Sequence, residues 1–274
     1  MLLPVQETCS PKSYSPMAAS QLPTIFKKQG QPINNMAQHT ILSTKKIDPA
    51  LKAQTEQKGM EVLEQEFITI HPIFSQSKYQ EIWPWMGTRG DTAIVFTSQH
   101  AVTAVEKYLR GGDAYFVPDQ WQVFCLNGAT KDRVIEALSE EQVIATAPNA
   151  TELAAAIIAN GQFKQVVFFC GNQRLDTLPN LLKDADIEVV EIVVYETFAT
   201  PVKINDSFDA ILFFSPSAVK SFFSVNTLQQ NTPCFAIGAT TAEAIGHDTN
   251  NQVITSEAPT QQSMLDSVWS YLQH

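Results

Sequence analysis

The sequence predicts an α/β protein built from two flavodoxin-like parallel-sheet lobes joined by a two-strand hinge, with one lobe inserted into the other. Three observations lead there. Short apolar runs of strand length alternate with amphipathic helix patterns from residue 40 to residue 272, as expected when crossover helices link parallel strands. One strand-turn-helix passage occurs twice. Thr92-Ala-Ile-Val-Phe-Thr-Ser-Gln-His-Ala-Val echoes Ala210-Ile-Leu-Phe-Phe-Ser-Pro-Ser-Ala-Val, and Phe124-Cys-Leu-Asn-Gly-Ala-Thr echoes Phe235-Ala-Ile-Gly-Ala-Thr-Thr. The last observation is a strand count: the three strands after Pro201 make an incomplete sheet, and two more from residues 40–70 bring it to five. The expected division is residues 40–73 plus 199–274 for lobe 1 and 74–198 for lobe 2.

Residues 1–39 are rich in Ser, Gln and Pro (Pro4, Pro11, Pro16, Pro23, Pro32) and carry no sustained period, so a disordered tail is expected there. A secretory leader needs a basic start and a continuous apolar core, and this stretch has neither. Thr40-Ile-Leu-Ser-Thr reads as the first strand. Asp48 then caps a helix with Pro49 at its first position, and Gly59 closes it. Phe67-Ile-Thr-Ile reads as the second strand, broken by His71-Pro72. The inserted region offers strands near Ala93–Phe96, Gln122–Leu126, Val143–Ala145, Gln165–Phe169 and Glu188–Val194. Helical patterns lie between them at Gln99–Leu109, Thr130–Leu138, Thr151–Asn160 and Leu175–Lys183. Beyond Pro201, Ala210–Phe214 is too short for a helix and rich in β-formers, and a helix pattern starts at once after Ser215-Pro216-Ser217. Cys234–Ile237 is a strand turning at Gly238, and Thr240 or Thr241 opens the next helix. A strand at Gln252–Thr255 and a helix over Thr260–Leu272 close the chain. The crossings at 71–74 and 195–201 form the expected hinge.

Composition narrows the partners. The 274 residues are 44% hydrophobic and 17% charged, which is ordinary for a globular chain long enough to bury a core. No apolar run approaches the ~20 residues a membrane helix needs, so no membrane span is expected; the expected location is cytoplasmic, in keeping with the cysteines below. Eighteen Lys and Arg against 28 Asp and Glu give a net charge of -10, which argues against a nucleic-acid partner, since that would need a basic stripe. An anionic substrate would then be held by helix N-termini and a few cations. Cys125, Cys170 and Cys234 lie in or beside apolar strand runs, with Cys9 in the tail and no CxxC spacing. They read as small buried hydrophobes in a reducing compartment, and no metal site has ligand spacing.

The turns after the strands carry the candidate binding residues. Ser98, Ser215 and Ser217 are donors for a carboxylate or helix N-caps, and the pattern leaves both roles open. Thr130, Thr240 and Thr241 hold the corresponding second turns, where Gly128 and Gly238 permit close backbone approach to a ligand or only a tight turn. No G-x-S-x-G elbow activates any of these serines. His71, His100 and His247 read as solvated or capping. Arg174 stands where a strand hands over to a helix, either meeting an anion or lying exposed in a first turn.

Taken in order, Cys170-Gly-Asn…Leu178-Pro, Val194-Tyr-Glu-Thr, Phe214-Ser-Pro-Ser, Ala236-Ile-Gly-Ala-Thr-Thr-Ala and Glu257-Ala-Pro-Thr resemble the motifs of uroporphyrinogen-III synthases, over roughly residues 40 to 274. The resemblance implies two α/β lobes with an active site in the cleft between them. It implies cyclisation of hydroxymethylbilane to the type III isomer with loss of water, in haem biosynthesis, by a monomer needing no cofactor. In that family the hydroxyl departs to leave an azafulvenium-type cation, and a spiro intermediate precedes ring closure. Tyr195 corresponds to the tyrosine that faces the cleft and assists hydroxyl departure, whereas the residues alone suggest an aromatic packed on the hinge. Lys45 and Lys46 stand where many members carry Arg, so the charge is retained and the bidentate grip on a carboxylate is not. Bilobal architecture by itself also suits a two-lobed small-ligand binding or sensor module, or a family member without activity.

Overall fold

A computed structural model describes residues 24–25, 38–82, 90–111 and 121–273. The expected tail falls outside the described residues except for Thr24–Ile25 (β1), Gln38 and His39. Lobe 1 begins with β2 (His39–Ser43), α1 (Pro49–Gln57) and β3 (Met60–Glu64). Asp48 caps α1 by accepting from the N–H groups of Ala50 at 2.9 Å and Leu51 at 3.2 Å. Gly59, with φ +84°, turns the chain into β3. The chain then leaves through β4 (Ile68–Pro72) and α2 (Gln76–Ile82).

Lobe 2 runs β5 (Thr92–Phe96), α3 (Gln99–Gly111), β6 (Val123–Leu126), α4 (Ala129–Ala137), β7 (Val143–Ala147), α5 (Ala150–Asn160), β8 (Gln165–Gly171), α6 (Thr177–Asp184) and β9 (Glu188–Ala199). The chain returns through β10 (Lys203–Ile204), which pairs in parallel with β1, to β11 (Ala210–Phe213), α7 (Pro216–Phe223), β12 (Cys234–Ala236), α8 (Ala239–Asp248), β13 (Val253–Thr255) and α9 (Gln261–Leu272).

The lobe 1 sheet is ordered β3-β2-β11-β12-β13 and is parallel throughout. That is the flavodoxin order, 2-1-3-4-5. Both faces are covered, so neighbouring residues of one strand enter different cores. Ile41, Leu212 and Phe235 pack with Met264 and Val268 of α9, while Leu42, Phe213 and Cys234 pack with Phe222 of α7 and Ile245 of α8.

Lobe 2 shares the class but not the strand order. Its sheet runs β4-β9-β8-β5-β6-β7, which without β4 is the 3-2-1-4-5 order. After β6 the chain continues outward to β7, so α3 and α4 cover one face with Phe96 and Phe169, and α5 and α6 cover the other with Phe124 and Phe168.

Two further differences from the sequence reading concern the lobe junction. The second strand of lobe 1 is Met60–Glu64, not Phe67–Ile70. Met60 and Val62 point into the core while Glu61 lies half-buried between them, a period-two pattern diluted by its acids. Residues 68–72 instead form β4, antiparallel to β9 from Ile68↔Ala199 to Pro72↔Tyr195. The two hinge strands are therefore bonded to each other and extend the lobe 2 sheet.

Candidate active site

In an open parallel sheet a crevice forms where neighbouring strands send their connections in opposite directions. In lobe 1 that point lies between β2 and β11, followed by the turns Thr44–Lys45 and Phe214–Ser215. In lobe 2 it lies between β5 and β8, followed by Thr97–Ser98 and Asn172–Gln173. These two switch points are in contact. The Ser217 hydroxyl, in the first turn of α7, donates to Gln173 Oε1 at 2.7 Å. Lys45 of lobe 1 lies near enough to His100 of lobe 2 to disfavour its protonation.

Tyr195 stands beside the lobe 2 switch point. Its phenol donates to Ser98 Oγ at 3.1 Å, its ring packs against the α3 core, and the His100 ring lies 5.7 Å away between centroids. Burial pushes the phenol above its ordinary value, with the Ser98 bond partly offsetting the rise, so at neutral pH Tyr195 keeps its proton and remains a donor. Ser98 Oγ also accepts from the His100 N–H at 3.2 Å as the cap of α3. Both roles open to Ser98 in the sequence are thus compatible. With two bonds accepted, its own hydrogen is left for a third group.

The remaining candidates separate by burial. Ser215 is the N-cap of α7, its Oγ accepting from the Ala218 N–H at 3.2 Å. Gly238 precedes α8 in extended backbone, and a Cβ added there would meet nothing within 4 Å, so the space above it is open. Thr240 is exposed beside it. Thr241 and Thr130 are only 1% and 8% exposed, so their side chains are buried within the lobes. What the α8 turn presents to a ligand is the N–H groups of Ala239 and Thr240, since the Thr241 N–H already donates to the Gly238 carbonyl at 3.1 Å; the first N–H groups of α4 stand in the corresponding place. Gly128 is the N-cap of α4 at φ +68°, a left-handed conformation that favours glycine.

Sequence reasoning missed two residues at this site. His100 is half-buried against Tyr195 rather than solvated. Burial pulls its imidazole below the ordinary value and the Lys45 cation adds to the effect, so His100 is neutral at pH 7. Gln173 links the lobes, and its Nε2 also donates to the Thr197 carbonyl at 3.1 Å. Arg174 is held by Asp176 at 2.5 Å and by Glu191, so its charge is already compensated within lobe 2. Burial raises the Cys125 and Cys170 thiols to about 11 and Cys234 to about 12, which leaves all three protonated and unreactive. Among the described residues no group of three or more His, Cys, Asp or Glu is gathered to hold a metal ion, and no helix is long and apolar enough to cross a membrane.

The site can therefore offer a protonated phenol, a free serine hydrogen, a neutral imidazole, one cation and several helix N-termini. A family model described as Uroporphyrinogen-III synthase HemD matches residues 49–266. Among solved structures, the chain resembles the uroporphyrinogen-III synthetase of Helicobacter pylori. The TM-score is 0.60 at 16% identity, covering 85% of this chain and 99% of that one. A mutant uroporphyrinogen III synthase from the extremely thermophilic bacterium Thermus thermophilus gives 0.56 at 16% identity, with 86% and 99% covered.

Proposed function

This chain belongs to the uroporphyrinogen-III synthase family, enzymes of tetrapyrrole biosynthesis that act on hydroxymethylbilane, and we propose that it performs the cyclisation between its two switch points. Tyr195 is the catalytic residue, donating its phenolic hydrogen bond to the departing hydroxyl. Substrate carboxylates are received by Ser98, Ser215 and Ser217, by the turns at Gly238, Thr240 and Thr241, and at Thr130 through the α4 backbone. The observation that carries this reading is the Tyr195–Ser98 hydrogen bond, which holds a protonated phenol at the switch point of lobe 2.

The energetics suit such a substrate. A chain with net charge -10 binds a polycarboxylate poorly through its overall field. Fixed N–H dipoles at helix starts bind anions without added cations, and Lys45 supplies local charge. Because hydroxymethylbilane closes unaided to the wrong isomer, the protein's task is to hold the chain bent and assist departure of one hydroxyl. That is control by positioning, with modest acid help.

The boundary between the lobes falls within the β4–β9 ribbon, close to the expected division at 73/74 and 198/199, with β4 counted on the lobe 2 sheet to which it is bonded. The working unit is a monomer, since both switch points come from one chain and no second copy is needed to complete the cleft. The three buried free thiols suit the reducing cytoplasm. Incubating the purified protein with freshly prepared hydroxymethylbilane and resolving the products tests the reading. Type III isomer in excess of the spontaneous type I product is expected, and type I alone would refute it.

A further inference from the structure

We propose that Gly171 is a positioning residue for the Tyr195 phenol, acting by leaving the volume that the phenol occupies. The inference rests on the reading of Tyr195 given above. At the end of β8, Gly171 is the register partner of Tyr195, just past an irregularity in the β8–β9 pairing. A Cβ built on Gly171 would stand 2.6 Å from Cε2 and 2.7 Å from the hydroxyl oxygen of Tyr195, with Cζ closer still. Ordinary contact at that point begins at 3.4 Å. The part of the ring lying over Gly171 is thus its reactive end.

Neither strand can retreat to make room. The Asn172 N–H donates to the Tyr195 carbonyl at 3.2 Å, and the Thr197 N–H donates to Asn172 Oδ1 at 2.9 Å, so the turn and β9 are tied on both sides of the ring. On the far side the ring meets the α3 core and His100. A methyl group at 171 can be accommodated only by swinging the phenol away, and that swing breaks its bond to Ser98. Gly171 carries no left-handed φ, so the demand for glycine here is one of space and not of backbone conformation.

The test is Gly171→Ala in the full chain, assayed for type III formation above the spontaneous background and for thermal unfolding. Moving the hydroxyl from 2.7 Å to 3.4 Å or beyond is a displacement of at least 0.7 Å. A fall in kcat of about 100-fold is expected, with KM changed less than about two-fold. Added to Tyr195→Phe, the substitution should lower kcat no further, because the donor is already gone. Its thermal cost should vanish in a Tyr195→Ala background, where the clash has no partner. If Gly171→Ala does not fold alone, recovery of folding in the Tyr195→Ala double variant supports the contact, and failure of the double variant to fold overturns it. Parental kcat for Gly171→Ala beside a slow Tyr195→Phe overturns the positioning role. Parental kcat for Tyr195→Phe instead overturns the reading of Tyr195 on which the inference rests.

Discussion

Tyr195→Phe removes one oxygen from the cleft and leaves the ring. Folding loses a single hydrogen bond, since Ser98 Oγ still accepts from the His100 N–H and no buried donor is orphaned. The stability cost is therefore about 1 kcal/mol, a shift of roughly 2–4 °C in Tm for a chain of this size. The ring's packing against the α3 core and His100 persists, so substrate affinity should change little. A well-placed acid contributes typically ~100-fold, so kcat should fall by that factor, which corresponds to about 2.7 kcal/mol in the barrier. The barrier effect exceeds the stability effect, and the two are separated by measuring initial rates and unfolding on the same preparations. Because burial raises the phenol pKa, the parent protein should show no alkaline loss of kcat from Tyr195 until pH exceeds its ordinary value of about 10. A Phe variant with parental kcat, measured above the spontaneous reaction, would reduce Tyr195 to a packing residue.

Lys45→Met should raise the His100 pKa, read as a shift in the imidazole proton titration; an unmoved titration would mean that the two side chains do not face each other across the cleft. Since the folded-state pKa of His100 lies below its unfolded value of about 6.5, its contribution to stability is full above that pH and is lost as pH falls toward the folded value. His100→Gln should accordingly flatten the drop in Tm on acidification below pH ~6.5, and parallel curves for the two proteins would contradict this. Gln173→Ala breaks both the Ser217 contact between lobes and the Thr197 tie. Small-angle scattering of the ligand-free variant should report a larger radius of gyration, and superimposable profiles would dismiss the contact as a restraint. Phe169, fully buried with Phe74, Phe96 and Trp121 around it, should cost about 3–5 kcal/mol on replacement by Ala, measured by denaturant unfolding, and a loss under about 1 kcal/mol would contradict its place in the core.

Periodicity carried the class of the fold because buried parallel strands are continuous apolar runs, and β5, β8 and β11 are just that. It failed at β3, an edge strand whose acids Glu61 and Glu64 fall on opposite faces and interrupt both apolar rows, and where Phe67-Ile-Thr-Ile offered a more apolar alternative nearby. Strand order in lobe 2 was not legible because it depends on which side of β5 each crossover returns, and the helix patterns are alike for both choices. Ser98 and Ser217 were legible as turn residues because they follow strand ends in sequence, and the fold sets both beside the switch points. Thr130 and Thr241 share that position along the chain, yet face inward, because the rotation of a helix about its axis is set by its core face. His100, Gly171 and Gln173 acquire their meaning only from partners 95, 24 and 44 positions away, at Tyr195 and Ser217. A Gly that clears space for a distant ring has no local signal, although it stood in plain view within Cys170-Gly-Asn.

Tyr195 occupies a singular register in β9. It is the last residue of that strand paired to β8, opposite Gly171, and the first paired to β4, opposite Pro72. Before it the strand belongs to the body of lobe 2, and after it the strand is half of the ribbon that joins the lobes. Displacement under a rotation grows with distance from the fulcrum. The start of α7 packs close to this ribbon, with Ser217 bonded to Gln173, and the phenol sits at its root, so a swing of lobe 1 about the ribbon leaves Tyr195 nearly in place. On the reading of Tyr195 proposed above, the reacting group therefore keeps a fixed address in lobe 2 whatever lobe 1 does.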